Sequence, residues 1–331
     1  MRVVVAGAAH WHAPWHVAAL RKHGHVIAGI WDVNAEVAHT RGQMWTAPVY
    51  DSLESLLAGS RADLAIFAPR TVDAPSQLAR LIDHGIPTVA EKPLGLSAQH
   101  FAELVPIAEA KGRFIAVTFV NRLSPAWQAI SGPVGSASFR IINGSPERYV
   151  EDGVDWVTDA ARSGGGALRN LGIHGADAIC RLAGESRLEV TSALLAGNEG
   201  WDIELHAFAT VRSSDGWVAT LEAGYDLPTR NASEFEWRIG TERALVVDRD
   251  TTTVLYRQAG AVTESSLSSA ERYDEFIRRT LDDLSQGRPP IASLADALKA
   301  ARLVDEVYRV ARSAHESETN LGRNGTQGDL Q

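Results

Sequence analysis

Of 331 residues only one is a cysteine, Cys180, so the chain cannot close an internal disulfide or build a cysteine-rich metal site. Its place in the apolar run Ala178-Ile179-Cys180-Arg181-Leu182 predicts helix core rather than a reactive thiol. No stretch approaches the roughly 20 apolar residues that a membrane-spanning helix requires. Val3-Val4-Val5 opens a strand where a signal peptide would lie. The expectation is a soluble, cytoplasmic protein with no membrane partner. Cations are outnumbered, 32 Lys and Arg against 41 Asp and Glu, for a net charge of −9. Nucleic acid needs clustered cations to meet its phosphates, so it is not an expected partner. Long blocks of one charge and internal repeats are both missing.

What is present is an ordinary globular composition, 45% hydrophobic and 22% charged, in a length that suits two domains with a core each. Up to about residue 120, short apolar runs (Arg2–Ala6, Val26–Trp31, Leu64–Ala68, Thr88–Ala90, Ile115–Phe119) alternate with amphipathic stretches. These stretches fall at His16–His23, Leu53–Leu57, Ala74–His84 and Ala98–Lys111. That rhythm predicts an α/β fold, a doubly wound parallel sheet with helices on both faces and one ligand-binding edge. Beyond residue 121, alternation predicts antiparallel strands at Ser136–Ile142, Arg187–Leu195, Glu204–Ser213, Trp217–Tyr225, Phe235–Gly240, Ala244–Asp248 and Thr252–Arg257. A helix at His174–Leu182 interrupts them. Helices at Ala270–Gln286 and Leu294–Ala314 flank the breaker Gly287-Arg288-Pro289-Pro290. The expected division is a dinucleotide-binding domain at 1–120, then an α+β domain with a large, mainly antiparallel open sheet at 121–314. Its last helices pack back on the first domain, and a polar, glycine-rich tail fills 315–331.

A dinucleotide site wants glycines where the first strand turns into the first helix, so that backbone N–H groups can approach the pyrophosphate. Here the turn reads Gly7-Ala8-Ala9-His10-Trp11-His12; Ala9 and His12 hold the places of the second and third glycines. One extra residue in the turn would move the helix start toward Pro14, a good first-turn residue. Asp32, at the end of the second strand, can accept from the adenosine ribose hydroxyls and would repel a 2′-phosphate. That favours NAD over NADP. His10, His12 and His16 invite a metal reading, but no nearby carboxylate or thiol completes a ligand set. Solvent-facing imidazoles and no metal are expected.

Lys92 follows a short apolar run and precedes Pro93, which ends the strand. A lysine at a strand C-terminus points at the crevice where a substrate would sit, and partial desolvation lets it exchange a proton with a hydroxyl or carbonyl. The plainer alternative is a surface lysine paired with Glu91. At Glu91-Lys92-Pro93-Leu94 the chain resembles the Gfo/Idh/MocA oxidoreductases. Ala108-Glu109-Ala110-Lys111-Gly112 and Phe119-Val120-Asn121-Arg122 follow as in that family. Gly165-Gly166-Ala167-Leu168 … Gly172-Ile173-His174 … Asp177 is similar to its second motif, and Ile239-Gly240-Thr241-Glu242 … Val246-Val247-Asp248 to a later one. The likeness covers nearly the whole chain.

The resemblance implies a Rossmann domain, a substrate domain whose open sheet mediates a homodimer or homotetramer, and NAD(P)-dependent chemistry on a sugar, cyclitol or derivative. By position Lys92 would face cofactor and substrate, and His174 would be the acid–base residue. Asn170 stands where the family usually has an aspartate, one helical turn before His174. It can orient a substrate hydroxyl but cannot take its proton. With the Gly7–His12 turn, Asp32 and Glu91, the cofactor set includes Pro69 and Arg70, where Arg70 replaces a common asparagine and nearby Asp73 a common histidine. Arg122, Trp156, Arg148, Tyr149, Asp152 and Arg162 lie in segments expected to wall the substrate pocket. Trp11 and Trp15 can stack on a sugar or on a cofactor ring. Asp177 is expected to cap or pair within its helix. Two alternatives keep the fold: an enzyme that cleaves a glycosidic bond through transient oxidation with no net NADH, and a sugar- or dinucleotide-sensing protein without turnover. Asn170 and the altered turn both support the second.

Overall fold

The structure, a computed structural model, describes residues 1–198, 200–230 and 232–325, with side chains described through residue 314. Strands β1 (Arg2–Ala6), β2 (Val26–Trp31), β3 (Leu64–Phe67), β4 (Thr88–Ala90) and β5 (Ile115–Val117) form an all-parallel sheet in the order β2-β1-β3-β4-β5. Alternation along β1 drives both of its faces into core. Val3 and Val5 pack with helix α1 (Ala13–Lys22), while Val4 and Ala6 pack on the opposite side. Helices α2 (Ala35–Met44), α3 (Leu53–Gly59), α4 (Ala74–His84) and α5 (Leu104–Ala110) complete the wrapping. In α4 the buried stripe Ala74, Leu78, Leu81, Ile82 follows helical spacing, and Gly85 in the left-handed region closes the helix.

The second sheet holds β6 (Val134–Gly144), β7 (Leu188–Ala196), β8 (His206–Ser213), β9 (Val218–Leu227), β10 (Ser233–Thr241), β11 (Ala244–Arg249), β12 (Thr252–Arg257) and β13 (Gly260–Ser265). Their order is β13-β12-β11-β10-β6-β9-β8-β7, antiparallel except for the parallel pair β6·β9. Short helices α6 (Ala126–Ala129), α7 (Glu147–Glu151) and α8 (Ala160–Ser163) precede α9 (Ile173–Ala183), which covers one face. At Gly175 a Cβ would lie 2.3 Å from Leu221 Cδ1, so glycine lets α9 settle onto β9. The other face carries Arg140, Glu222, Glu234 and Glu236, cross-strand partners in ion pairs with Arg140 or Arg249. Helix α10 (Ser269–Ser285), started by a Ser268–Glu271 capping box, returns to α1 and buries Tyr273, Phe276 and Ile277 against the first sheet. Helix α11 (Leu294–Gly325) packs on α9 and β7.

Four elements differ from expectation. Helix α2 buries only Ala38 and Gly42, too narrow a stripe to announce itself, although Asn34 caps its Glu36 and Val37 N–H groups. Strand β13 is exposed at all six residues, so it shows no alternation of burial. The stretch from Ala98 breaks into a 3-10 turn (Ala98–His100) before α5. Backbone helix continues to Gly325, where a polar tail was expected from 315; no proline interrupts it. The last six residues of that expected tail lie outside the described residues. Among the described residues no helix is long and apolar enough to cross a membrane.

Candidate active site

The C-terminal ends of β1, β2 and β3 meet at a crevice of about 110 Å3 lined by Gly7, Ala9, Asp32, Pro69, Arg70 and Trp156, among others. Only glycine fits at position 7. Its φ is +98°, and a Cβ would lie 1.9 Å from the Ala68 carbonyl oxygen of the neighbouring strand end. Helix α1 starts at Ala13 with Pro14 in its first turn, so the loop is longer than a minimal glycine turn. Ala8 is fully buried in the core beneath it. The Asp32 carboxylate accepts from Ala9 N and Asn34 N, both at 2.8 Å. Burial pushes its pKa up, against those two N–H donors. The crevice cations are already engaged, Arg70 by Asp73 and Arg162 by Asp155 and Asp159. A tight backbone approach, a ribose-type carboxylate and, among the described residues lining the crevice, arginines already paired with acids fit NAD.

The histidines of the turn are not solvent-facing. His16 is fully buried and His10 is 3% exposed. The carboxylate that local sequence lacks arrives from the end of β4. Glu91 Oε1 pairs with His16 Nε2 at 2.8 Å and accepts from the Tyr273 hydroxyl at 3.0 Å, and Glu91 Oε2 lies 3.2 Å from His12 Nδ1. Tyr273 also meets His12 Nδ1 at 2.5 Å. His10 stacks on Trp11 and His12 on Trp15. Burial lowers the pKa of His10 and of His12 against the pull of Glu91. Burial likewise opposes ionisation of Glu91, but His12 and His16 outweigh it and hold the carboxyl well below its usual range. Ligand atoms of His10, His12 and Glu91 lie within 4.8 Å of one another, so this trio can hold a cation. The expectation that no carboxylate completes a set is thereby corrected. In this structure His12 Nδ1 is hydrogen-bonded to Tyr273 and Glu91 Oε1 to His16 and Tyr273.

Beside this cage opens a cleft of about 730 Å3 between the two sheets. Lys92, on the cis Lys92–Pro93 bond, is 2% exposed. Its Nζ donates to the Asn170 backbone oxygen at 3.0 Å and to Asn170 Oδ1 at 3.3 Å. Burial, only partly opposed by Glu91, brings the Lys92 pKa down to about 8. Asn170 Nδ2 donates to the hydroxyls of Tyr149 at 2.9 Å and Tyr225 at 2.8 Å. These bonds fix the carboxamide orientation, with its oxygen on the lysine. Asn170 sits in a π-helical turn (Leu168–Gly172) leading into α9. Gly166 lets the chain enter that turn, since a Cβ there would lie 2.0 Å from Glu204 O. His174 lines the same cleft edge-on to Phe119, and its Nδ1 is buried without a hydrogen-bond partner. Burial, then the Lys92 charge, hold its pKa well below the usual value, so the ring is neutral at pH 7.

Lys92, Asn170 and His174 therefore share one cleft, joined by Trp11, Trp15, His12, Arg148, Tyr149 and Asp152. Arg122 does not belong to it. The Arg122 guanidinium is tied to Asp177, one turn along α9 from His174, at 2.9 and 2.6 Å and to the Ile291 carbonyl. Asp177 pairs across elements rather than capping its own helix. Trp156 lines the dinucleotide crevice rather than the reactive cleft and sits 5.9 Å from the Trp11 ring. Tyr225, Tyr273 and Arg272 escaped sequence reasoning. The two tyrosines occupy apolar-patterned positions, and Arg272 is buried among Asn121, Asp248 and Ser266. A polar handle within an apolar stripe was their only local signal.

The family model described as an oxidoreductase family with an NAD-binding Rossmann fold matches residues 1–119. The model described as the GFO/IDH/MocA C-terminal domain matches residues 132–247. No curated protein matches significantly. Among solved structures, GenD2 from gentamicin A biosynthesis in complex with NAD is 19% identical over 95% of each chain, with a TM-score of 0.80. UDP-N-acetylglucosamine 3-dehydrogenase GnnA from Acidithiobacillus ferrooxidans is 21% identical over 94% of this chain and 97% of its own, TM-score 0.78. Levoglucosan dehydrogenase in complex with NADH and levoglucosan is 15% identical over 95% and 97%, TM-score 0.83. At these identities the likeness is one of fold.

Proposed function

This chain belongs to the Gfo/Idh/MocA family of NAD-binding Rossmann-fold oxidoreductases, and on that premise we propose that it is an NAD-dependent dehydrogenase or reductase acting on a secondary hydroxyl or ketone of a sugar, cyclitol or derivative. The observation that carries this reading is a buried lysine of depressed pKa, clamped by Asn170 in the reactive cleft. Neighbours of the same fold include a UDP-sugar dehydrogenase and a levoglucosan dehydrogenase.

When bound, NAD supplies the hydride acceptor or donor. Gly7, Ala9 and Asp32 would hold its adenosine half, and Pro69 and Arg70 the passage toward the cleft. Two of the Lys92 ammonium hydrogens are directed at Asn170. The third is free for a substrate oxygen. In the reducing direction Lys92 gives that proton to the developing alkoxide. In the oxidising direction neutral Lys92 takes the hydroxyl proton. His174, a neutral ring lining the cleft, would orient the same or an adjacent hydroxyl. Asn170 carries no proton; it positions Nζ.

The test begins with cofactor-stripped protein titrated with NADH and NADPH, read by nicotinamide fluorescence and tryptophan quenching. NADH formation over a sugar and cyclitol panel follows, for wild type and K92M. Saturable NADH binding in both proteins, with turnover about 10² to 10⁴ lower in K92M, is the expected result. A sensing role without turnover is favoured by the commitment of Asn170 Nδ2 to two tyrosines. Sugar binding with no chemistry across the panel would establish it. The uncovered face of the eight-stranded sheet is assigned to pairing of copies as a homodimer or homotetramer, which light scattering measures.

A further inference from the structure

We propose that Arg148 makes the reactive cleft a site for an anionic substrate, one carrying a carboxylate or phosphate close to the hydroxyl it presents to Lys92. This rests on the redox reading of the same cleft and adds the charge of what enters it. Arg148 lies on α7 and lines the cleft. Its Nη2 donates to the Tyr149 hydroxyl at 2.7 Å, and the guanidinium stands 4.6 Å from the Tyr149 ring centroid. With its amide turned to satisfy its neighbours, Asn143 offers an oxygen to the same Nη2 at 3.0 Å. Neither partner is an anion. Nε is buried with no partner at all.

The contrast with the other arginines nearby is sharp. Arg272 at the cleft edge meets Asp248, Arg122 meets Asp177, Arg70 meets Asp73, and Arg162 meets Asp155 and Asp159. Arg148 forms no ion pair among the described residues. The cleft acids are committed elsewhere: Asp152 is held by Arg230 at 2.5 Å, and Asp250 accepts from Phe235 N at 3.1 Å. A half-buried guanidinium left without a carboxylate is costly to the free protein, and its planar fork matches two oxygens of one carboxylate or phosphate.

Position sharpens the assignment. Arg148 Nη2 to Tyr149 Oη, Tyr149 Oη to Asn170 Nδ2, and Asn170 Oδ1 to Lys92 Nζ form one run of 2.7, 2.9 and 3.3 Å contacts. The anion-binding group and the proton-exchanging group thus share a wall. A substrate whose acid group lies within a few atoms of the reacting carbon reaches both.

The experiment uses NAD-loaded wild type, R148Q and R148K. D-glucuronate, D-glucose 6-phosphate, inorganic phosphate and D-glucose serve as probes, followed by total tryptophan fluorescence, to which Trp11 contributes with its ring 5.0 Å from Tyr149. At least one anionic probe is expected to bind at least about tenfold more tightly than D-glucose. R148Q should lose about 30-fold or more of that affinity and R148K should keep part of it. The tighter of carboxylate and phosphate names the group. Unchanged anion affinity in R148Q, equal binding of D-glucose, or no binding of any anion would overturn the proposal. NADH titration of each variant reports folding. Anion affinity that ignores R148Q, together with NADH formation from neutral sugars, would remove the anion subsite and leave the redox reading standing. Failure of wild type to bind NADH would remove the redox reading and leave the anion result to stand by itself.

Discussion

Replacing Asn170 by aspartate should raise the pKa of Lys92 and move the pH profile with it. The carboxamide oxygen lies 3.3 Å from Lys92 Nζ, and the lysine titrates near 8 because burial disfavours its charged form. A full negative charge at that distance interacts by about 5 kcal/mol at an effective dielectric of about 20, equivalent to ~3 to 4 pK units. Desolvation of the new carboxylate takes back a part of this, which leaves an expected midpoint of ~10 or above. The pocket tolerates the change geometrically, because Tyr149 and Tyr225 can reverse their bonds and donate to a carboxylate. The assay needs no substrate. The chain holds only four lysines, Lys22, Lys92, Lys111 and Lys299, so Cε signals of ¹³C-lysine protein are countable, and K92M identifies the one that matters. Lys22, Lys111 and Lys299 are exposed and serve as internal references. In wild type the Lys92 signal should titrate near 8. In the oxidising direction turnover should rise as pH passes through that value, and in the reducing direction it should fall. A wild-type midpoint at 10 or above, or an N170D midpoint still near 8, refutes the electrostatic account of this lysine.

Removal of the Asp32 carboxylate in D32A should weaken NADH binding by roughly tenfold or more while changing NADPH binding far less; fluorescence titrations of both cofactors measure the ratio. Because Arg122 is 8% and Asp177 2% exposed in their ion pair, D177A should cost about 3 kcal/mol or more of stability. Urea denaturation should show that loss with substrate KM unchanged, as suits an ion pair outside the cleft. Burial pushes the Cys180 thiol up to about 12, so native protein at pH 8 should not react with Ellman's reagent within minutes and should react at once in urea.

Much of this protein is legible along the chain, because its information is periodic and local. The apolar runs of β1 to β4 and the stripe of α4 repeat at the two spacings that backbone geometry allows. Gly7, Asp32 and Lys92 could be located because each stands at the end of an apolar run, where a parallel sheet turns its loops to one edge. Charge and cysteine count set the expectations for partners and redox chemistry without any coordinates. Tertiary structure decided the partnerships. Glu91 is 75 residues from His16 and 182 from Tyr273, and packing of β4 and α10 around α1 makes the cage in which His10 and His16 are buried and His12 is largely covered. Lys92 meets Asn170 across 78 residues, and Asn170 meets Tyr225 across 55, through a π-turn that no residue pattern announces. Arg122 and Arg148 look alike in sequence, two arginines in segments expected near the pocket. One is neutralised by Asp177, one turn along α9 from His174, and the other is left facing the cleft without an acid. Hydrophobic periodicity sets which face of an element is buried, but it carries nothing about which polar group of a distant element that face will meet.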